Sequence, residues 1–244
     1  MNELMSKPLS QIVNEQHKTA SVFDKYNLDY CCKGKRCLEQ ACSESHVAID
    51  EVIEELRNIY AVKSNELDFN KIKLYQLAEY IVYTHHSYLR KEMPQIVANL
   101  EKVTSKHGKR HSELYDISAW FNQLSNEMTK HIQKEETILF PRIKQLETYG
   151  FGKIPDHIKN AKNLQLPIAD MEDEHEDAGN IMAGIKSITN NYEAPKDACT
   201  TFKLLYARLK AFEVDLHQHV HLENSILFPK ALALERQLKL DTHN

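Results

Sequence analysis

Few residues in this chain break regular structure: glycine occurs 6 times and proline 7 times in 244 residues, while Leu, Ala, Glu and Lys are plentiful. That balance leaves little material for turns and points to an all-α protein. No apolar run approaches the roughly 18 residues a membrane span requires, and no charged, apolar and small leader opens the chain. A soluble protein without a membrane partner is therefore expected. A basic excess is also missing, since the formal net charge is −4 and the pI about 6.4. This removes the electrostatic footprint that nucleic-acid binding needs. Nor is there a disulfide framework: the five cysteines are an odd number, and four of them cluster near the N-terminus. A thiol or metal role in a reducing compartment fits them better.

What the chain does have is histidine, 13 residues of it, placed in a pattern. The stretch from His131 to Pro141 recurs from His219 to Pro229. Each copy has the form His-x-x-x-Glu-x-x-Ile-Leu-Phe-Pro. On a helix, His131 and Glu135, or His219 and Glu223, lie one turn apart on the same face. A lone His-x-x-x-Glu is common as a surface pair, but its repetition with an identical tail is not. A further histidine stands at nearly the same distance ahead of each copy, His86 before the first and His175 before the second. The second half of the protein reads as a duplicate of the first.

The chain divides into residues 1–62, a small helical domain carrying Cys31-Cys32; 63–71, a polar linker; 72–235, a four-helix bundle; and 236–244, a C-terminal tail. In the first domain Tyr30-Cys31-Cys32-Lys33-Gly34-Lys35-Arg36-Cys37 separates short helices. Adjacent cysteines close only a strained ring, so a structural bridge between them is not expected. The basic residues around them should lower the thiol pKa values, and Gly34 should free the backbone to turn. Cys37 and Cys42 match no zinc spacing. In the linker, Asp68 or Asn70 is a candidate cap for the next helix.

Four amphipathic stripes come next. The first runs through Val82, His86, Leu89, Met93, Ile96, Leu100 and Val103, with His85 about 100° off it and Pro94 expected to kink or weaken a turn. The second takes Leu114, Ile117, Phe121, Leu124, Met128, His131, Glu135 and Ile138, leaving Glu136 on a wet face. The third takes Ile168, Met171, His175, Ala178, Met182 and Ile185, with Pro167 in its first turn. The fourth takes Phe202, Leu205, Leu209, Phe212, Leu216, His219, Glu223 and Ile226; His217 and His221 fall on the far side as a surface couple. His107 and His111 read as part of a solvated turn. The connector from Tyr149 to Leu166 is longer than a bundle turn needs.

Short turns between long helices give an up-down-up-down bundle in which His86, His131, Glu135, His175, His219 and Glu223 converge in an apolar core. Four imidazoles and two carboxylates exceed the needs of one tetrahedral zinc. They suffice for two ions, iron first, then manganese or zinc.

These residues carry a resemblance. Residues 72 to 235 resemble the hemerythrin-like domain, and residues 1 to 62, with Asp29-Tyr30-Cys31-Cys32-Lys33-Gly34-Lys35, are similar to the N-terminal domain of the repair-of-iron-centres di-iron proteins. Met171-Glu-Asp-Glu-His175-Glu-Asp-Ala-Gly179 belongs to the same likeness. The resemblance implies a non-haem di-iron centre with two irons per chain. Its ligands would be His86, His131, Glu135, His175, His219 and Glu223, with the glutamates bridging. It further implies a cytoplasmic bacterial protein that repairs iron-sulfur clusters damaged by nitric oxide or oxidants, with Cys31 and Cys32 assisting. Its partners would be damaged iron-sulfur proteins, with nitric oxide or dioxygen as small ligands; a homodimer is compatible with it. Oxygen-carrying hemerythrins differ, having a second histidine where this chain has Gly179, and His-x-x-x-x-Asp in the fourth helix. Iron donation is the leading activity, with a nitric oxide-reducing enzyme and an oxygen or nitric oxide sensor as alternatives.

Overall fold

The structure, a computed structural model, describes residues 2–61, 67–149 and 163–241. Most of the connector expected from Tyr149 to Leu166, and residues 62–66 of the linker region, lie outside these. The described residues are helical apart from turns and one isolated bridge, and among them no helix is long and apolar enough to cross a membrane. The helices are α1 (Asn2–Ser6), α2 (Leu9–Glu15), α3 (Ala20–Lys25), α4 (Leu38–Glu44), α5 (Ile49–Ala61), α6 (Leu74–Ile81), α7 (Ser87–His107), α8 (Glu113–Lys134), α9 (Phe140–Tyr149), α10 (Gln165–Ile188), α11 (Thr200–Leu222) and α12 (Phe228–Asp241). They form two compact units, Met1–Leu77 with His217–Asn244, and Ala78–Leu216.

The second unit holds four long helical segments packed antiparallel. Thr104 on α7 meets Leu114 on α8. His131 on α8 meets Glu174 on α10, while Gly184 comes close to Trp120, so these two helices run in opposite senses. Lys186 of α10 pairs with Glu213 of α11. His85 faces Asp215, and Glu92 faces Arg208, which closes the ring between the fourth helix and the first. Phe121 and Phe212 meet edge-on across the middle at 5.2 Å. This is the up-down-up-down bundle that the stripes predict. Asn163 starts α10 by accepting from the Gln165 N–H, and Pro167 sits in its first turn, where a missing N–H costs nothing.

In the first unit, α2 has no side-chain cap. Its leading N–H groups are satisfied by the cysteine segment instead: Leu9 N donates to Arg36 O and Ser10 N to Gly34 O, each at 3.0 Å. Gly34 has no positive φ, so the turning freedom expected of it is not what is used. Close approach is: a Cβ there would lie 2.1 Å from the Tyr30 carbonyl oxygen. Gly34→Ala should therefore destabilise the protein by about 1–3 kcal/mol, the range for overpacking, as measured by urea denaturation. The expected cap at Asp68 or Asn70 is not formed; Asp68 closes a local turn on Asn70 N, and Gln76 Oε1 accepts from Lys73 N instead. Residues 217–241 belong to this unit, with Asn14 donating to Ser225 O and Lys230 to Asn70 O. Residues 236–241 continue α12 rather than forming a tail.

Candidate metal centre

Among the described residues, three π-helical turns interrupt the α-helices: Val82–His86, Glu135–Leu139 and Glu223–Leu227. Each begins or ends on a predicted ligand. Such one-turn widenings gather at functional sites, and here two of them have a cause in sequence. Pro141 and Pro229 lack an N–H, and their rings would strike the carbonyls four residues back. A widened turn ahead of each proline relieves the clash. The carbonyl stranded by Pro229 is that of Ser225, which accepts from Asn14 Nδ2 at 3.3 Å. The first widened turn has no proline two residues past its end, as the others do; there the Ser87 hydroxyl reaches back to the Val82 carbonyl. Pro94 causes no break, since α7 runs through it.

Widening a turn shifts the phase of the downstream helix by about one residue. Hence Ile138, placed in the core by the stripe, is 63% exposed, and Leu139 is buried instead. Val82 likewise yields to Ile81.

Within the Ala78–Leu216 unit, His86, His131, Glu135 and His175 come together, all fully buried. His86 Nε2 lies 3.3 Å from Glu135 Oε2, and His131 Nε2 lies 3.4 Å from the same oxygen. The Nε2 atoms of His131 and His175 are 2.9 Å apart. In the other unit, His219 Nε2 lies 3.0 Å from Glu223 Oε1, again in full burial.

The backs of two rings are held by carboxylates. His86 Nδ1 is 2.7 Å from Glu136, which also takes Arg90; His131 Nδ1 is 2.8 Å from Glu174, which also takes Lys134. A carboxylate at Nδ1 keeps the proton there and turns the Nε2 lone pair inward. Two imidazole lone pairs then face the same carboxylate oxygen, acceptor against acceptor. A shared proton or a cation reconciles them in a buried site, and a borderline transition metal suits nitrogen and oxygen donors together. Burial pushes the Glu136 and Glu174 pKa values up, but hydrogen bonds from Arg90 and His86, and from Lys134 and His131, outweigh it and hold both below the ordinary carboxylate value.

Glu136 is thus no solvated neighbour, contrary to the stripe pattern, because the widened turn swings it onto His86. Glu174 is visible in the sequence only as one of several acids around His175. His85, although off the stripe, is also buried and bound to Asp215 at 3.0 Å. The expected surface couple is half wrong: His221 is buried, its ring 5.4 Å from Tyr30 and 5.8 Å from His17, with burial and then His17 pushing its pKa down to about 3. His217 is half-buried on Asp24. His107 and His111 pack on Phe202 rather than standing in solvent.

Cys31 is buried and Cys32 half-buried; neither is in a disulfide, and their sulfurs are 3.7 Å apart. At Cys31 the expected lowering of the thiol pKa does not occur. The hydrogen bond to Cys32, burial and the Asp29 carboxylate together push Cys31 well up, and Arg36 is spent on Glu44. Cys42 is a small buried thiol, also pushed up by burial.

Comparison with known proteins agrees with this geometry. Residues 77–231 match the hemerythrin HHE cation binding domain, and residues 5–60 match a domain of unknown function, DUF542. The chain belongs to the hemerythrin HHE family. Within it, the chain is 34% identical to the iron-sulfur cluster repair protein YtfE of Enterobacter sp. (strain 638), over 94% of this chain and 98% of that protein. The protein of the same name from Escherichia coli O81 (strain ED1a) is also 34% identical, and that of Citrobacter koseri 33%, over the same shares. The hemerythrin match contains all three widened turns and the residues around them, and it implies non-haem iron as the cation.

Proposed function

We propose that this chain repairs iron-sulfur clusters damaged by nitric oxide or oxidants, in the cytoplasm, by supplying iron held as a pair through His86, His131, Glu135, His175, His219 and Glu223. The observation that carries this reading is the pair of inward imidazole lone pairs meeting one buried Glu135 oxygen. The hemerythrin match supports iron as the cation, and the name of the relatives supports damaged iron-sulfur proteins as the clients. The donor set fits iron, which would supply labile coordination in its reduced state. Glu136 and Glu174 keep the protons of His86 and His131 on Nδ1 and fix the rings. Glu135 and Glu223 would contribute the negative charge that holds the cation. Cys31 and Cys32 receive iron on its way to the client.

Because ring orientation rests on the outer carboxylates, Glu136→Gln and Glu174→Gln should each weaken iron retention against a chelator by roughly 10–100-fold. Unchanged retention would mean that packing alone sets the rings. The function itself is tested by loading the protein with 57Fe and mixing it anaerobically with a cluster enzyme previously inactivated by nitric oxide. Recovery of client activity with 57Fe in its cluster is expected. Equal recovery with a Glu135→Leu, Glu223→Leu variant, or recovery without label, would overturn it.

A further inference from the structure

A second donor group, made of none of the six residues above, lies in the Met1–Leu77, His217–Asn244 unit. Asp29, Cys31 and Cys32 each offer a ligand atom, and these atoms all lie within 4.8 Å of one another. Their arrangement is fixed by the backbone: Asp29 Oδ1 accepts from the N–H groups of Cys31 at 3.0 Å and Cys32 at 2.9 Å, an Asx turn that folds the carboxylate over both cysteines. The Cys31 sulfur sits 3.3 Å from that oxygen and 3.7 Å from the Cys32 sulfur.

Those separations are the ones a tetrahedral ion imposes. With metal–sulfur bonds near 2.3 Å and metal–oxygen bonds near 2.0 Å, two sulfurs on one ion lie about 3.8 Å apart, and a sulfur and an oxygen about 3.5 Å apart. A disulfide, by contrast, needs sulfurs at about 2.05 Å, so the pair is spread for chelation rather than closed for bonding. The stem of the segment is held by Leu9 N and Ser10 N on the carbonyls of Arg36 and Gly34, and Arg36 Nη2 donates to the Asp29 carbonyl.

The geometry points to a preformed site for one divalent, thiophilic transition-metal ion bound by Asp29, Cys31 and Cys32, with a fourth position open to solvent. Binding exchanges two thiol protons for the ion: M²⁺ and two Cys–SH give the bis-thiolate and two H⁺, with no change of oxidation state. Cys31 is buried, while Asp29 and Cys32 are half-exposed, so the open position faces outward. A thiolate of an acceptor protein can enter there and draw the ion off by ligand exchange. This deepens the proposed function and rests on it in one respect, the identity of the ion as ferrous iron in transit.

Cobalt(II) is the probe, added anaerobically to the reduced full-length protein. Only thiolate ligation gives an intense sulfur-to-cobalt charge-transfer band; imidazole and carboxylate ligation does not. The band is expected to saturate at about one cobalt per chain, the capacity of a single tetrahedral site. It should vanish in Cys32→Ser and weaken by roughly tenfold or more in Asp29→Asn, which keeps the Asx turn but removes a ligand charge. It should persist in the Glu135→Leu, Glu223→Leu variant, which separates this site from the iron pair. Absence of the band at saturating cobalt, with helical circular dichroism intact, overturns the site. Displacement of cobalt by ferrous iron supports the iron assignment; displacement by zinc but not by excess ferrous iron overturns that assignment.

Discussion

Changing Glu135 and Glu223 together to leucine will abolish iron loading while leaving the bundle folded. Both side chains are fully buried, and a buried ionised carboxylate costs several kcal/mol unless a cation or a hydrogen-bond network repays it. Iron held at the proposed site would offset that cost. Without metal, the carboxylates are a burden shared with the neighbouring imidazoles. Leucine of similar size removes the charge and adds apolar contact, so the metal-free variant should be as stable as metal-free wild type, or more so by about 1–4 kcal/mol. Iron per chain, measured after anaerobic purification, should fall from about two, the number that six imidazole and carboxylate donors can hold, to background. A variant that keeps near-normal iron would remove both glutamates from the ligand set. One that loses iron and also loses its helices would leave the glutamates as folding residues only.

Phe121→Ala will cost about 3–5 kcal/mol of stability, the usual range for deleting a large buried ring. Phe121 is fully buried, and its ring meets Phe212 edge-on at 5.2 Å. The informative control is Ile138→Ala. A stripe read at 3.6 residues per turn puts Ile138 in the core, where its loss would also be costly. The widened turn at Glu135–Leu139 leaves it 63% exposed, so its replacement should fall within about 0.5 kcal/mol of wild type. Urea denaturation of the three proteins decides. A large loss at Ile138 would mean that the helix keeps its α-helical phase past Glu135.

Much of this is legible in the residues. The third and fourth stripes are buried without exception: nothing in them disturbs the 3.6-residue period before Glu223, and past it Ile226 and Leu227 are both buried, so the change of phase there exposes neither. The repeated His-x-x-x-Glu carries the site because charge on a core face has to be explained by a cation. The departures share a cause. A stripe misplaces Glu136, Ile138 and Val82 because it assumes one period throughout, and a single widened turn rotates everything beyond it. The signal is present: a proline six residues after each glutamate marks where the helix has to open. The cysteine segment departs from expectation for a different reason. Lys33, Lys35 and Arg36 are close in sequence to the thiols, but the group the backbone folds onto Cys31 is the Asp29 carboxylate, and its charge acts in the opposite sense. His85 and His221 lie off the main face of their helices and are buried all the same. Buried surface in this protein is not confined to one face per helix, since His85 pairs with Asp215 in one unit and His221 packs on Tyr30 in the other.

The central claim is that the six side chains hold two irons as one coupled pair, and Mössbauer spectroscopy of 57Fe-loaded protein, read beside its EPR spectrum, tests it most directly. The account predicts about two irons per chain, antiferromagnetically coupled, with a diamagnetic ground state in the oxidised form and loss of the signal in His131→Ala. Isolated high-spin ferric iron at one equivalent, or a protein that takes up zinc and no iron, would contradict it.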